Sequence, residues 1–279
     1  MRYIDAMSAL LDTGPNGIGG YNMRNLGEYI NTLTDIDERD DKLGRTLLQS
    51  AIGMVAENGY GNHVVKYLLE ERADVNIAIN GRLSLLSLAA TNGCVDTVKL
   101  LVAAGLDIQT PPPYPQFEYA PVYQALYHPK MLEYLITIGC NPHYVDGNNK
   151  TLLMHAASIG QIGSVRVLLD AGQNPELKDN RGFTALDWAA HTGSGQNPFR
   201  LLFYERHPET MNLLDGELRR RKMIRDKTAV ERKLAFTMAG HDRGGTSMTQ
   251  FDNGLFRMIN EITDKIVAED YARSLFPVT

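Results

Sequence analysis

An all-α solenoid with a helical C-terminal extension is the fold class this sequence predicts, and three observations predict it. First, Asp146-Gly147-Asn148-Asn149-Lys150-Thr151-Leu152-Leu153-Met154-His155-Ala156-Ala157 returns 33 residues later as Asp179-Asn180-Arg181-Gly182-Phe183-Thr184-Ala185-Leu186-Asp187-Trp188-Ala189-Ala190. Second, Asp74, Asp107, Asn141 and Asn174 each close an amphipathic stretch, at steps of 33, 34 and 33. Third, each period holds two short apolar stripes at helical spacing, the first rich in alanine where a neighbouring helix must come close. One such helix pair cannot bury its apolar face alone, so stability accrues between neighbours and function belongs to an extended surface.

The first forty residues read as a worn terminal unit, with one helix at Tyr3–Leu11 and a second at Asn25–Leu33 closed by Asp35-Ile36-Asp37. Between them Gly14-Pro15-Asn16-Gly17-Ile18-Gly19-Gly20 reads as a loop; a phosphate cradle would need a preceding strand and a following Lys-Ser/Thr. Residues 41–206 carry the regular units. Thr151 stands where its hydroxyl caps the first helix, Val165, Leu168 and Leu169 share one face of the second, and Gly172 suits a left-handed C-cap. Asp179 to Gly182 supplies the turn into the next unit.

Two units depart from the period. One gains residues around Gly53 to Gly61, giving a long inter-helix loop. Another replaces its turn with the Pro-rich run from Pro111 to Pro121, whose Tyr114, Phe117 and Tyr119 form either a neutral insertion or a finger able to grip a partner at low entropic cost.

The repeated motif resembles the ankyrin repeat, whose signature is an Asp-x-x-Gly-x-Thr-Pro-Leu-His-x-Ala-Ala opening and a Gly-Ala-Asp-Val-Asn close. The resemblance covers roughly residues 24 to 206, about six repeats when the worn unit from residue 3 is counted. Thr-Pro-Leu-His stands here as Thr46-Leu47-Leu48-Gln49, Ser84-Leu85-Leu86-Ser87, Ala120-Pro121-Val122-Tyr123, Thr151-Leu152-Leu153-Met154 and Thr184-Ala185-Leu186-Asp187. The histidine at the fourth place is gone from all five, and with it the expected side-chain-to-backbone bond; Met and Tyr are expected to fill its space. The resemblance implies a protein partner, bound by the hairpin tips and concave face. The residues expected to be most exposed there are Asn80, Leu83, Thr91, Asn92, Asn148, Lys150, Ser158, Ile159, Arg181, Phe183, His191 and Thr192.

After residue 206 the repeat is lost, and 207–279 reads as the helical extension. Between Arg219 and Lys233 eight Lys/Arg face two acids, yet the stretch has no aromatic residue to stack on bases and reads as a solvated helix face. Met238 to Ser247 lacks the lysine of a phosphate-binding loop, and His241, Asp242 and Ser247 are neighbours in sequence only, a thin basis for a catalytic tail. Phe251 to Ile262 is faintly similar to the F-box-like or PRANC helices found behind some ankyrin arrays. That likeness implies an adaptor for a ubiquitin-ligase core as the alternative to a C-terminal cap.

Composition narrows the rest. A net charge of -5 argues against bulk nucleic-acid attraction. No apolar run approaches a membrane span, no secretory signal opens the chain, and Cys94 and Cys140 are the only cysteines. The expectation is a reduced, cytoplasmic protein, its own cell's or a host's. Seven scattered histidines show no ligand spacing, so neither metal, cofactor nor catalytic residue is expected and the chain reads as a binder rather than an enzyme.

Overall fold

A computed structural model of the chain describes residues 23–33, 35–39, 44–55, 61–79, 83–108, 120–190, 207–241 and 261. The chain forms two compact units, Met1–Thr210 and Met211–Thr279. Within the first unit α1 (Met23–Ile30) is followed by α2 (Leu47–Gly53), α3 (Asn62–Glu70), α4 (Leu85–Asn92) and α5 (Val95–Ala103). Next come α6 (Pro121–Gln124), continued by a 3-10 turn at Ala125–Tyr127, then α7 (Pro129–Thr137), α8 (Leu152–Ser158), α9 (Ile162–Asp170) and α10 (Ala185–Ala190). No strand forms among the described residues; the loops contribute two isolated bridges, Ile79 with Leu83 and Val145 with Thr151.

First helices stack on first helices and second on second: α2 packs on α4, α4 on α6, and α8 on α10, while α3 packs on α5, α5 on α7, and α7 on α9. The alanine pairs permit this approach. Ala89, Ala90, Ala156 and Ala157 are fully buried, beside Leu48, Ile52, Val65, Leu101, Leu132, Leu135, Leu153 and Leu168. Burying a side chain of that size contributes about 1.5–3 kcal/mol, and the contacts are shared between repeats, which is why the unit needs its neighbours.

The helix starts correct one expectation. The fourth place of the opening motif is the third residue of the first helix, where any side-chain acceptor can reach back to the capping residue's N–H. Gln49 Oε1 accepts from the Thr46 amide at 3.2 Å, Met154 Sδ from Thr151 at 3.4 Å, and Asp187 Oδ2 from Thr184 at 2.8 Å. In return Thr46, Thr151 and Thr184 accept from the amides of Gln49, Met154 and Asp187. At these three starts the bond expected to vanish with histidine is therefore kept. Ser84 caps α4 alone, accepting from Ser87, and α6 begins with Pro121 at a position where the missing N–H costs nothing.

The second helices end as the glycines predict. Gly105, Gly139 and Gly172 have φ of 92°, 102° and 84°. The next amide in each closes back on Leu101, Leu135 or Leu168. In the first full repeat Arg72 takes the same left-handed turn at φ 66° without being glycine. In four of the loops an Asp or Asn side chain accepts the amide two residues on: Asp35 from Asp37, Asp74 from Asn76, Asn141 from His143 and Asn174 from Glu176. Neighbouring loops are tied as well, Asp37 accepting from the Asp74 amide and Asn76 from that of Asp107.

A further junction went unread in the sequence. His128-Pro129 and His207-Pro208 both open a helix, and each imidazole lies against a glycine at the end of an earlier first helix, His128 on Gly93 and His207 on Gly160. His128 Nε2 also meets the Thr91 carbonyl at 3.1 Å. The unequal insertions between the two copies hide the likeness.

The long helix α11 (Pro208–His241) has its first three residues in the first unit and the rest in the second. Its basic stretch is laced with its own acids: Arg219 pairs with Asp215, Arg220 and Arg221 with Glu217, and Lys227 with Glu231. Pairs of this kind, one turn apart on a helix surface, contribute little, about 0.3–0.5 kcal/mol each, but they give the helix a mixed-charge surface. No helix among the described residues is long and apolar enough to cross a membrane. The expected helix Tyr3–Leu11, the loop Gly14–Gly20, and residues 56–60 of the long loop lie outside the described residues. So do Asp242, Ser247 and, Glu261 apart, the segment 251–262.

Candidate functional site

The hairpin tips that open the last two helical units are built the same way. In the first, Asp146 Oδ1 accepts from the amides of Asn148 and Lys150 at 2.8 and 2.9 Å, and Oδ2 holds His155 Nε2 at 3.2 Å. In the second, Asp179 Oδ1 accepts from the amides of Arg181 and Phe183, both at 2.9 Å, and Oδ2 accepts from the Trp188 indole N–H at 3.0 Å. One carboxylate thus folds the turn and fixes the ring nine residues on, in the first helix. The tips are also tied to each other: the Asn180 amide donates to the Asn148 carbonyl at 2.9 Å, and Asn149 Nδ2 to Asn180 Oδ1 at 2.8 Å.

Trp188 is the centre of the cluster between these tips. Lys150 Nζ sits 3.6 Å from its ring centroid and 3.2 Å from Ser158 Oγ, while the Arg181 guanidinium lies 6.0 Å from the ring. Phe183 meets Trp188 edge to face at 5.9 Å. Burial pushes the Lys150 ammonium down to about 8, against the pull of Asp146 and Asp179 and aided by Arg181; the indole face also favours the charged form. Burial would raise the Asp179 carboxyl, but the amides of Phe183 and Arg181, the indole N–H and the Arg181 charge outweigh it and hold the group below the usual carboxylate range.

His155 is pushed down to about 4, chiefly by burial and secondarily by the Lys150 charge, with Asp146 opposing. The ring is neutral at physiological pH, and its bond to a carboxylate places the proton on Nε2. An unfolded chain would protonate it near 6.5. Between that pH and about 4 the unfolded state binds the proton the folded state refuses, so stability is level above the window and falls as pH drops through it. The expected loss is on the order of 2 kcal/mol. Urea unfolding across this range should show a shallower pH dependence for His155→Gln; parallel curves for the two proteins would refute the assignment.

A second feature lies on the first helices. Tyr123 meets His155 edge to face at 5.2 Å, and beside them a shallow groove of about 190 Å³ is lined by Thr91, Tyr123, Gln124, Leu126, Tyr127, His155 and Ile159. Thr91 Oγ1 lies 3.0 Å from both the Ser87 carbonyl and Gln124 Oε1.

Of the residues singled out in the sequence, the tips bring together Asn148, Lys150, Arg181 and Phe183, and the groove brings together Thr91 and Ile159. Leu83 stands apart, half-buried in a bridge with Ile79. Asn92 is half-buried, its amide donating to the Ile52 carbonyl, and Lys150 is drawn over Trp188. Ser158 corrects an expectation: placed among the exposed positions, it is 7% exposed, because its hydroxyl donates back to His155 O and receives Lys150. Asn80, Tyr114, Phe117, Tyr119, His191 and Thr192 lie outside the described residues. The sequence marks Asp179 as part of a turn, but neither it nor Asp146, Tyr127, Gln124, His155 or Trp188 stood out there as a site residue. The shared nine-residue spacing from aspartate to ring was the signal available.

Two comparisons bear on this arrangement. A family model described as ankyrin repeats in three copies matches residues 18–111 and 122–212. ZDHHC13 of Danio rerio, named as a palmitoyltransferase, is 26% identical over 155 residues, which are 55% of this chain and 24% of that protein. The chain therefore spans about a quarter of the length of that relative. The family match stops before 251–262, the residues that carried the F-box-like likeness.

Proposed function

Because the chain belongs to the ankyrin-repeat family, we propose that it is a non-enzymatic scaffold that binds a partner protein through the hairpin tips and concave face of the array. The observation that carries this is the tip cluster: Lys150 from one turn and Arg181 and Phe183 from the next gather around Trp188, and the two turns are tied together. Aromatic and arginine side chains dominate protein interfaces because they bring large area and forked hydrogen bonding, and here they rest on fixed backbone. Arg181 is exposed and its side chain makes no ion pair among the described residues. The likeness to about a quarter of a palmitoyltransferase adds no acyl transfer to this reading.

The test is a double substitution, Arg181→Ala with Phe183→Ala, in the full chain. A partner recovered by cross-linking to the purified protein should bind the variant about 2 kcal/mol more weakly, roughly thirtyfold, while Leu177→Ala at an exposed site nearby leaves binding unchanged. Unaltered affinity, with circular dichroism showing an intact fold, would move the binding face away from the tips.

A further inference from the structure

The groove on the first helices is separate in its chemistry from the tip cluster. Its polar walls are Thr91, Tyr123, Gln124, Tyr127 and His155, and its apolar ones Leu126 and Ile159. None carries a charge at neutral pH, His155 included, since burial and the neighbouring ammonium keep its ring neutral. The lining side chains themselves offer a charged occupant no counter-ion, so the groove favours an uncharged one.

Size narrows the occupant further. At about 190 Å³ the space falls below the roughly 300–1,000 Å³ usual for small-molecule sites, and suits a single large side chain. At the groove Tyr127 stands 62% exposed, a large aromatic surface left for something to cover. Helix α6 is only one turn before the 3-10 segment, and this early tightening is what places Tyr127 beside the groove.

We propose that this groove seats one bulky, uncharged side chain of a partner's peptide segment, with Tyr127 covering it and Ile159 forming part of its wall. The inference rests on the reading of the chain as a protein-binding array and specifies the chemistry that the array selects.

The test uses a random short-peptide display library selected on the full chain, with affinities of enriched peptides then measured by fluorescence anisotropy. The expected peptides share a large uncharged residue, and replacing that residue by alanine weakens binding about tenfold or more. Tyr127→Ala should weaken them to a similar degree, about tenfold, whereas Tyr127→Phe keeps the ring and stays within about threefold. Ile159→Lys, which places a charge in the wall, should abolish binding; Tyr127→Ala, at an exposed site, keeps the test valid if that variant fails to fold. Peptides anchored by a charged residue, or indifferent to both Tyr127→Ala and Ile159→Lys, would overturn the proposal. If those peptides instead respond to the Arg181 and Phe183 substitutions, the tip reading stands while the groove falls. A library that yields no binder counts against both.

Discussion

Replacing Gly93 by alanine should destabilise the array by about 3 kcal/mol, among the larger effects of any single methyl group added to this chain. Gly93 has φ of 72°, and a Cβ built there would lie 2.3 Å from His128 Nδ1 and 2.6 Å from its Cγ. The left-handed backbone alone costs alanine about 1 kcal/mol. The rest follows from the imidazole, which must swing away, abandoning the Thr91 carbonyl and the contact that seats the next helix. In a His128→Ala background the same substitution should cost only about 1 kcal/mol, because the ring is no longer in the way. Equal losses in both backgrounds, measured by urea unfolding, would show that the ring does not pack on Gly93. Gly160, with φ of 72°, faces His207 in the same way, so that an added Cβ would run into the imidazole, and it should behave alike.

Leu168→Ala should cost about 3–4 kcal/mol, against about 1 kcal/mol for the half-buried Leu169→Ala beside it. Leu168 is fully buried in α9, a helix that packs on both α7 and α8, so the cavity weakens contacts within one repeat and between two. In a repeat array that loss uncouples neighbours as well as lowering the total. The lone tryptophan, Trp188 in the following repeat, should then report an earlier transition than far-ultraviolet circular dichroism does. Coincident transitions with a loss below about 1 kcal/mol would mean that the site collapses around the alanine.

Periodic features were legible in the sequence because each depends on residues close together in the chain. Thr151 caps its helix, Gly172 ends the next one and Asn174 holds its turn through bonds spanning a few residues. What the sequence hid depends on spacing that the insertions vary. His128 and His207 repeat a role at an interval unlike the period, and Lys150 reaches Trp188 across a whole repeat. Ser158 was misplaced because the end of a first helix was taken as an open edge, whereas its hydroxyl turns back onto the helix and onto Lys150. Reading the fourth motif position as a need for histidine was too narrow: Gln49, Met154 and Asp187 meet the same geometric demand with an oxygen or a sulfur.

The ties between Asn148, Asn149 and Asn180 also bear on how this array can be rebuilt. Repeat proteins are commonly treated as interchangeable modules, but here the tip at 179–184 completes the tip at 146–151. A graft that replaced Asn180 in the later turn would leave Asn149 Nδ2 without its acceptor, changing what the earlier turn presents without altering a residue in it. Recombination that respects this chain would carry both turns together, as one cassette of two repeats.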